Sequence, residues 1–265
     1  MNKVAIVTGA GGGGSGRAIA RRFARDGASV VVSDIDDLGG SETVRLIEQE
    51  GGRAAFFHAD VGIEKDVRDL IAFAEKTYGG VDILVNDASA GYHPETPFEH
   101  WLETVQVDLL GPIYGTLQAL EPMRRRGGGA IVNIASISTL GHGRKHAEVP
   151  AYDVAKAGVI RLTTTLARLR EPGGIRVNCL VPGWIESPPV KSYVDSLTAE
   201  QRKQRGVPDR LITLDEIAAA VIRLATDERL AGRVMVWWNG QAPALIPAGD
   251  PGYAALEPLP GGWDG

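Results

Sequence analysis

The sequence predicts a single doubly wound α/β domain with a central parallel sheet. Three observations carry that reading. Short apolar runs recur along the 265 residues, with amphipathic segments between them. The runs are continuous rather than alternating, as strands are when helices cover both faces of a parallel sheet. A glycine-rich string, Thr8-Gly9-Ala10-Gly11-Gly12-Gly13-Gly14-Ser15-Gly16, joins the first run to the first helical pattern. Strand–helix alternation of this kind builds one layered domain.

Val4–Val7, Ser29–Ser33, Ala54–His58, Ile83–Val85, Ala130–Ile134, Arg176–Leu180 and Val234–Trp238 read as strands. Helical periodicity falls between them at Gly16–Asp26, Leu38–Glu50, Glu64–Tyr78, Phe98–Arg125, Tyr152–Arg170 and Leu214–Thr226. Two segments break the pattern. Trp184 to Arg210 is rich in Pro, Lys, Asp and Ser, and is expected to act as a lid at about 184–210. Gln241 to Gly265 has prolines, glycines, Tyr253 and Trp263 but no clear period, and reads as a tail, either docked on a neighbour or disordered. No linker or repeat is visible, so residues 1–240 are expected to form the one domain.

Composition narrows the class. At 44% hydrophobic and 23% charged, the chain is an ordinary globular one. A net charge of −5 offers no basic footprint for nucleic acid. The one basic run, Arg124-Arg125-Arg126, reads as a solvated helix C-terminus favoured by the helix dipole. The single cysteine, Cys179, excludes an internal disulfide and, in its apolar run, reads as a buried inert thiol. Val4–Val7 is too short for the core of a signal peptide, and no stretch approaches the roughly 20 apolar residues of a membrane span. A cytoplasmic protein without membrane partners is expected. Trp237 and Trp238 read as core or subunit-interface residues.

The glycine string has a specific chemistry. Glycine alone tolerates positive φ and lets backbone N–H groups approach a pyrophosphate closely. The strand–turn–helix context, with the acidic Asp34 about 20 residues on, matches the dinucleotide-binding fingerprint. A carboxylate ending the second strand accepts hydrogen bonds from both ribose hydroxyls of NAD and repels a 2′-phosphate. Arg17 is the only basic residue of the turn that would favour NADP, and its helical position predicts a solvated role. NAD is the expected cofactor.

Tyr152-Asp153-Val154-Ala155-Lys156 places a phenol and an ammonium four positions apart, on one face of a helix. A neighbouring ammonium favours the phenolate and lowers a tyrosine pKa from about 10 toward neutrality. Such a tyrosine serves as a general acid or base. Beside a nicotinamide it implies hydride transfer at a carbonyl or an alcohol. His142 and His146 are too far apart for a metal pair, and no acidic or cysteine cluster completes a site, so no metal is expected. They read as solvated residues or substrate contacts.

With these residues joined, the chain resembles the classical short-chain dehydrogenase/reductase family over roughly residues 3 to 240. The glycine turn, Asp60-Val61, Asn86-Asp87-Ala88-Ser89, Ser136, Tyr152-x-x-x-Lys156 and Pro182-Gly183 occur in the family's order. The resemblance implies a Rossmann-type fold with Tyr152 as catalytic acid/base. It implies that Lys156 holds the nicotinamide ribose and tunes the tyrosine, and that Ser136 donates to the substrate oxygen. Asp60 would bind the adenine edge beside the Val61 backbone, and Asn86 would lie near the adenosine ribose. Pro182 and Gly183 would pass under the nicotinamide, and Ser187 would touch its carboxamide. Gly9, Gly14, Ser15, Gly16, Ala88 and Ile185 are assigned to the same cofactor site. Family members are usually dimers or tetramers, with the Phe98–Arg125 and Tyr152–Arg170 helices as the implied interface and the last strand as a second contact.

The departures from the family pattern are specific. The glycine turn is one residue longer, and Ser15 stands where isoleucine is common. Asn86-Asp87-Ala88-Ser89 replaces Asn-Asn-Ala-Gly, which predicts rearranged sheet-supporting hydrogen bonds. The Ser136–Tyr152 interval is longer and holds His142, Arg144, Lys145 and His146. Asp108 replaces the asparagine that completes the catalytic tetrad. An aspartate keeps the backbone carbonyl used by the family's water relay but adds a negative charge near Lys156, which lets the tyrosine pKa climb. Ser138 rivals Ser136 for the substrate oxygen. The substrate pocket falls on the loop after Ala90, residues 138–150 and the segment after Trp184, which vary in the family. The expected function is an NAD-dependent oxidoreductase acting on a small secondary alcohol or ketone. A non-catalytic NAD-binding sensor and an NADP-dependent biosynthetic reductase are the rivals.

Overall fold

The computed structural model describes residues 3–90, 100–140, 150–171 and 173–249. Strand β1 (Val4–Thr8) explains the continuous apolar runs: all five of its residues are buried. Ala5 and Val7 join the core on one side of the sheet, and Ile6 joins the core on the other. In β2 (Ser29–Asp34), Val30 and Val32 face one core and Val31 the other. Side chains alternate across a strand, so a sheet covered twice demands an apolar residue at every position.

The remaining strands are β3 (Arg53–His58), β4 (Ile83–Asn86), β5 (Gly129–Ile134), β6 (Ile175–Pro182), β7 (Val234–Trp237) and β8 (Ala244–Leu245). Their order is β3-β2-β1-β4-β5-β6-β7-β8. β1 to β7 run parallel, and only β8 pairs antiparallel, with β7. The order reverses between β1 and β4, and ligands of doubly wound sheets bind in the crevice at that switch point. β8 lies in the segment read as a tail. Two residues are too few to show a period, which is why the sequence does not announce it.

Helices α1 (Ser15–Arg25), α2 (Asp37–Gln49) and α3 (Glu64–Tyr78) fall where periodicity places them. The predicted Phe98–Arg125 helix begins outside the described residues and is not uniform. It runs as α4 (Trp101–Val105), a wide π turn (Gln106–Leu110) and α5 (Gly111–Arg125). The Gly111 N–H reaches back to the Gln106 carbonyl, the five-residue spacing of a π turn. Pro112, four residues after Asp108, has no N–H to give the Asp108 carbonyl, so the regular ladder breaks there.

Helix α6 (Pro150–Thr165) stops short of the expected Arg170. The hydroxyls of Thr163, Thr164 and Thr165 bond back to carbonyls three and four residues earlier, and the chain tightens into a 3₁₀ turn at Ala167–Arg170. The 184–210 segment contains two short helices, α7 (Pro188–Ser196) and α8 (Ala199–Gln204), the second closed by a Thr198–Gln201 capping box. Helix α9 (Leu214–Thr226) completes the face shared with α1. The arginine run is not wholly solvated. Arg126 pairs with the buried Asp82, Nη2 to Oδ2 at 2.8 Å, and Asp82 also accepts from the Val4 N–H. Trp237 is core, while Trp238 is exposed. Cys179 is fully buried, and burial pushes its thiol up to about 12.

Candidate active site

The glycine turn closes against the end of β4 through backbone contacts. Gly9 has φ +67°, and a Cβ there would lie 2.7 Å from the Ala88 Cα. At Gly16 a Cβ would collide with the Gly9 carbonyl, so α1 begins directly on the turn. Thr8 Oγ1 accepts from the N–H groups of Asp87 and Ala88, both at 3.2 Å, and donates to the Val85 carbonyl. Asp34 accepts from the Gly11 N–H at 2.7 Å and from the Asp36 N–H at 3.0 Å. Arg17 is not solvated as its helical position implied. Its guanidinium donates to Thr43 Oγ1 and to the carbonyls of Gly11 and Gly39, stapling the turn to α2. All five guanidinium N–H groups being held in a rigid fork suits Arg to such multiple contacts.

The side chains expected to be catalytic meet at the carboxyl end of β5. Lys156 donates from Nζ to the Ile134 carbonyl at 3.1 Å and pairs with Asp108 Oδ1 at 2.9 Å. The two side chains are only 4% and 0% exposed. The other Asp108 oxygen accepts from the Ala90 N–H at 2.9 Å. The expected proximity of Asp108 to Lys156 is therefore a direct buried ion pair. Lys156 Nζ also stands 5.5 Å from the centre of the Tyr152 ring, and Ser136 hydrogen-bonds the phenol. Ser138 is not part of the cleft lining, its hydroxyl is buried, and its N–H donates to Ser136 Oγ.

The electrostatics correct one expectation. Lys156 alone would depress the tyrosine. Here burial raises the Tyr152 pKa above its ordinary value, and the opposing pull of Lys156 is itself countered by Asp108. Burial pulls the Lys156 ammonium down, but Asp108 and Tyr152 outweigh it, and Lys156 sits above the ordinary lysine value. Asp87 is a further perturbed group. Burial raises it from 3.8 to about 6, against the Ser15 hydroxyl, Lys156 and the Gly16 N–H.

Comparison with known proteins places this geometry. A family model described as enoyl-(acyl carrier protein) reductase matches residues 9–236. The human protein named dehydrogenase/reductase SDR family member 4 is 35% identical over 79% of this chain and 74% of its own. The chain belongs to the short-chain dehydrogenase/reductase family. Cis-4-hydroxycyclohexanecarboxylate dehydrogenase of Sinomonas cyclohexanicum is 34% identical, over 85% of this chain and 90% of its own. A crystal structure from Burkholderia xenovorans, assigned by name to the short-chain dehydrogenases/reductases, superposes with a TM-score of 0.79. It is 32% identical and covers 89% of this chain and 94% of its own. The protein is thus an oxidoreductase of a family whose members use nicotinamide cofactors.

The short-chain dehydrogenase/reductase residues divide into two groups. Ser15, Ser136, Tyr152, Lys156, Pro182 and Gly183 line one cleft of about 230 Å³. Ile185 and Ser187 line it too, and Asp87 and Ser89 join them without having been assigned there from sequence. Gly9, Gly14, Gly16, Asp34, Asp60, Val61, Asn86 and Ala88 lie outside that lining. Asp60 holds its own turn through the Gly62 N–H, and Val61 is buried. The Asn86 side chain donates to Asn133 of β5, which donates to Thr163 of α6, and this chain of amides supports the sheet.

The site fits a nicotinamide dinucleotide. The turn is open at Gly12, where a Cβ would meet nothing within 4 Å. The Gly14 cap and the first turn of α1 supply no side-chain cap and no acidic residue of their own, which leaves N–H donors other than that of Gly16, held by Asp87, for phosphate. One supporting residue carries no sequence signal. Asn239 bonds both the N–H and the carbonyl of Trp184, clamping the Pro182-Gly183-Trp184 bend. His142 and His146 lie outside the described residues. Among the described residues no group of three or more His, Cys, Asp or Glu is arranged to hold a metal, and no helix is long and apolar enough to cross a membrane.

Proposed function

We propose that this protein is an NAD(H)-dependent dehydrogenase acting between a secondary alcohol and a ketone. The observation that carries the reading is the convergence of Ser136, Tyr152 and Lys156 on one cleft that opens beside the glycine turn. Bound there, the nicotinamide supplies or accepts the hydride. Ser136 and Tyr152 hold the substrate oxygen. In oxidation the alcohol O–H proton passes to the Tyr152 phenolate as the C–H hydride leaves. In reduction the phenol returns that proton to the nascent alkoxide.

Lys156 is fixed by the Ile134 carbonyl and Asp108, so its charge stands at a set place beside the phenol. Asp108 is a positioning residue. It holds the lysine, and its charge keeps the phenol protonated to higher pH, which gives oxidation an alkaline optimum. Asp34 selects NAD by repelling a 2′-phosphate. Arg17, the one nearby cation that could accept that phosphate, is committed to Gly11, Gly39 and Thr43. A homodimer or tetramer in a reducing, cytoplasmic setting completes the reading, with the exposed Leu102 and Leu117 of α4 and α5 and Val154 of α6 as contact residues.

The test is a turnover screen of secondary alcohols with NAD⁺ and of ketones with NADH. Tyr152→Phe should abolish turnover and leave NAD binding nearly intact. Wild-type activity in Tyr152→Phe would refute the mechanism. Cofactor binding without turnover of any alcohol or ketone would favour the sensor.

A further inference from the structure

Among the described residues, Asp87 and Lys156 line the cleft, and Asp108 stands against Lys156. Lys156 and Asp108 form a buried pair at 2.9 Å. Asp87 lines the cleft and feels the charge of Lys156, but its hydrogen bonds come from Ser15 Oγ, to Oδ2 at 2.9 Å, and from the Gly16 N–H. Both are neutral donors. Once Asp108 has neutralised Lys156, an ionised Asp87 gives the described lining one net negative charge. With asparagine at positions 87 and 108, the same cleft would carry the uncancelled charge of Lys156. Two carboxylates thus reverse the sign of the field where Tyr152, Pro182 and Gly183 meet.

We infer that Asp87 sets the redox preference of this site: its carboxylate makes the cleft favour an oxidised, cationic nicotinamide over the reduced, neutral one. The site thereby loads with the oxidised cofactor, and the bound couple becomes more reducing than the free one. The inference rests on the nicotinamide reading above and adds which form of the cofactor the site prefers to hold. Oxidised and reduced cofactors share their phosphates, riboses and adenine, so the glycine turn, Asp34 and Asp60 bind both alike. They differ by one positive charge on the ring. Only a charge near the ring separates them, and a carboxylate within several ångströms is worth on the order of tenfold in a partly dry cleft.

Ionisation of Asp87 makes the preference pH-dependent. Lys156 of α6, Asp34 of β2, and Ser15 and Gly16 of α1 are the groups that act on it. Its pKa of about 6 means that acid switches the preference off. Lys156 and Tyr152 both sit above their ordinary values, so neither changes charge between pH 5.5 and 8.

The experiment is equilibrium titration of the full-length protein with NAD⁺ and NADH, and with NADP⁺ and NADPH, at pH 8 and pH 5.5. The readout is the ratio of reduced to oxidised Kd in wild type and in Asp87→Asn. At pH 8 the ratio should fall about tenfold in the variant, about 1.4 kcal/mol. The wild-type ratio should approach that of the variant at pH 5.5, while the variant's ratio stays flat. A purely structural Asp87 would weaken both cofactors together and leave the ratio unchanged, which overturns the inference. Should the variant not fold, a wild-type ratio that is flat from pH 8 to 5.5 overturns it equally. Failure of every pair to bind refutes the nicotinamide reading itself. Tighter binding of the phosphorylated pair refutes only the Asp34 assignment, and the ratio is then read on that pair.

Discussion

Replacing Asp87 by asparagine should stabilise the protein at neutral pH and not in acid. Folding lifts this carboxyl from 3.8 to about 6, chiefly through burial. A group whose folded pKa lies above its unfolded value contributes stability below the unfolded value and loses it as pH rises through the folded one. A rise of about two units corresponds to about 3 kcal/mol against the native state at pH 7.5. Asparagine removes that cost. Its amide oxygen still accepts from Ser15 Oγ, but the second acceptor, which serves the Gly16 N–H, is gone. One lost hydrogen bond takes back about 1 kcal/mol. The variant should therefore be about 2 kcal/mol more stable at pH 7.5 and about 0.5 kcal/mol less stable at pH 4, where the unfolded carboxyl is still partly ionised. For a chain of this size the gain raises Tm by roughly 4–8 °C. Denaturant melts of both proteins across that range, without cofactor, measure the difference. Parallel stability–pH curves, or a variant weaker at every pH, would refute the argument that the Asp87 charge is buried at a cost.

Asp108→Asn should shift the kcat/KM profile for alcohol oxidation toward acid, because the carboxylate that opposes the Tyr152 phenolate is gone. It should also destabilise the fold by about 3 kcal/mol, since Lys156 stays buried without its anion; superimposable pH profiles would remove Asp108 from the mechanism. Asp34→Ser should narrow the gap between NAD and NADP affinity, read by calorimetric titration, and an unchanged gap would show that the carboxylate does not set it. Cys179 should ignore thiol reagents until the protein unfolds, since burial leaves it fully enclosed and holds its thiol at about 12. Rapid labelling of the native protein would contradict that placement.

Much of this protein was legible in its sequence, where the signal is local. Strand positions and helix phase follow from periodicity, and a sheet covered on both faces writes itself as Val4–Val7 or Val30-Val31-Val32. The glycine turn shows in sequence because close backbone approach excludes any side chain, as at Gly9 and Gly16. Tyr152 and Lys156 show because four residues bring two side chains to one helix face. Asp108 stood out as a departure from the family's asparagine, and it is the buried partner of Lys156.

Tertiary structure decided what depends on distant segments. Ser15 meets Asp87 across 72 residues, and Arg126 meets Asp82 across 44. Arg17 became a staple, not a solvated charge, because α2 brings Gly39 and Thr43 against the turn. Asn239 became the clamp on Trp184 only because β7 delivers it beside β6. The direction of the Tyr152 shift reversed for the same reason. Spacing reveals one neighbouring charge, but a pKa sums burial and every charge nearby, and burial exists only once the chain has closed around the phenol. A sequence determines what its residues do to their own turn and strand; the field inside a cleft belongs to the assembled fold.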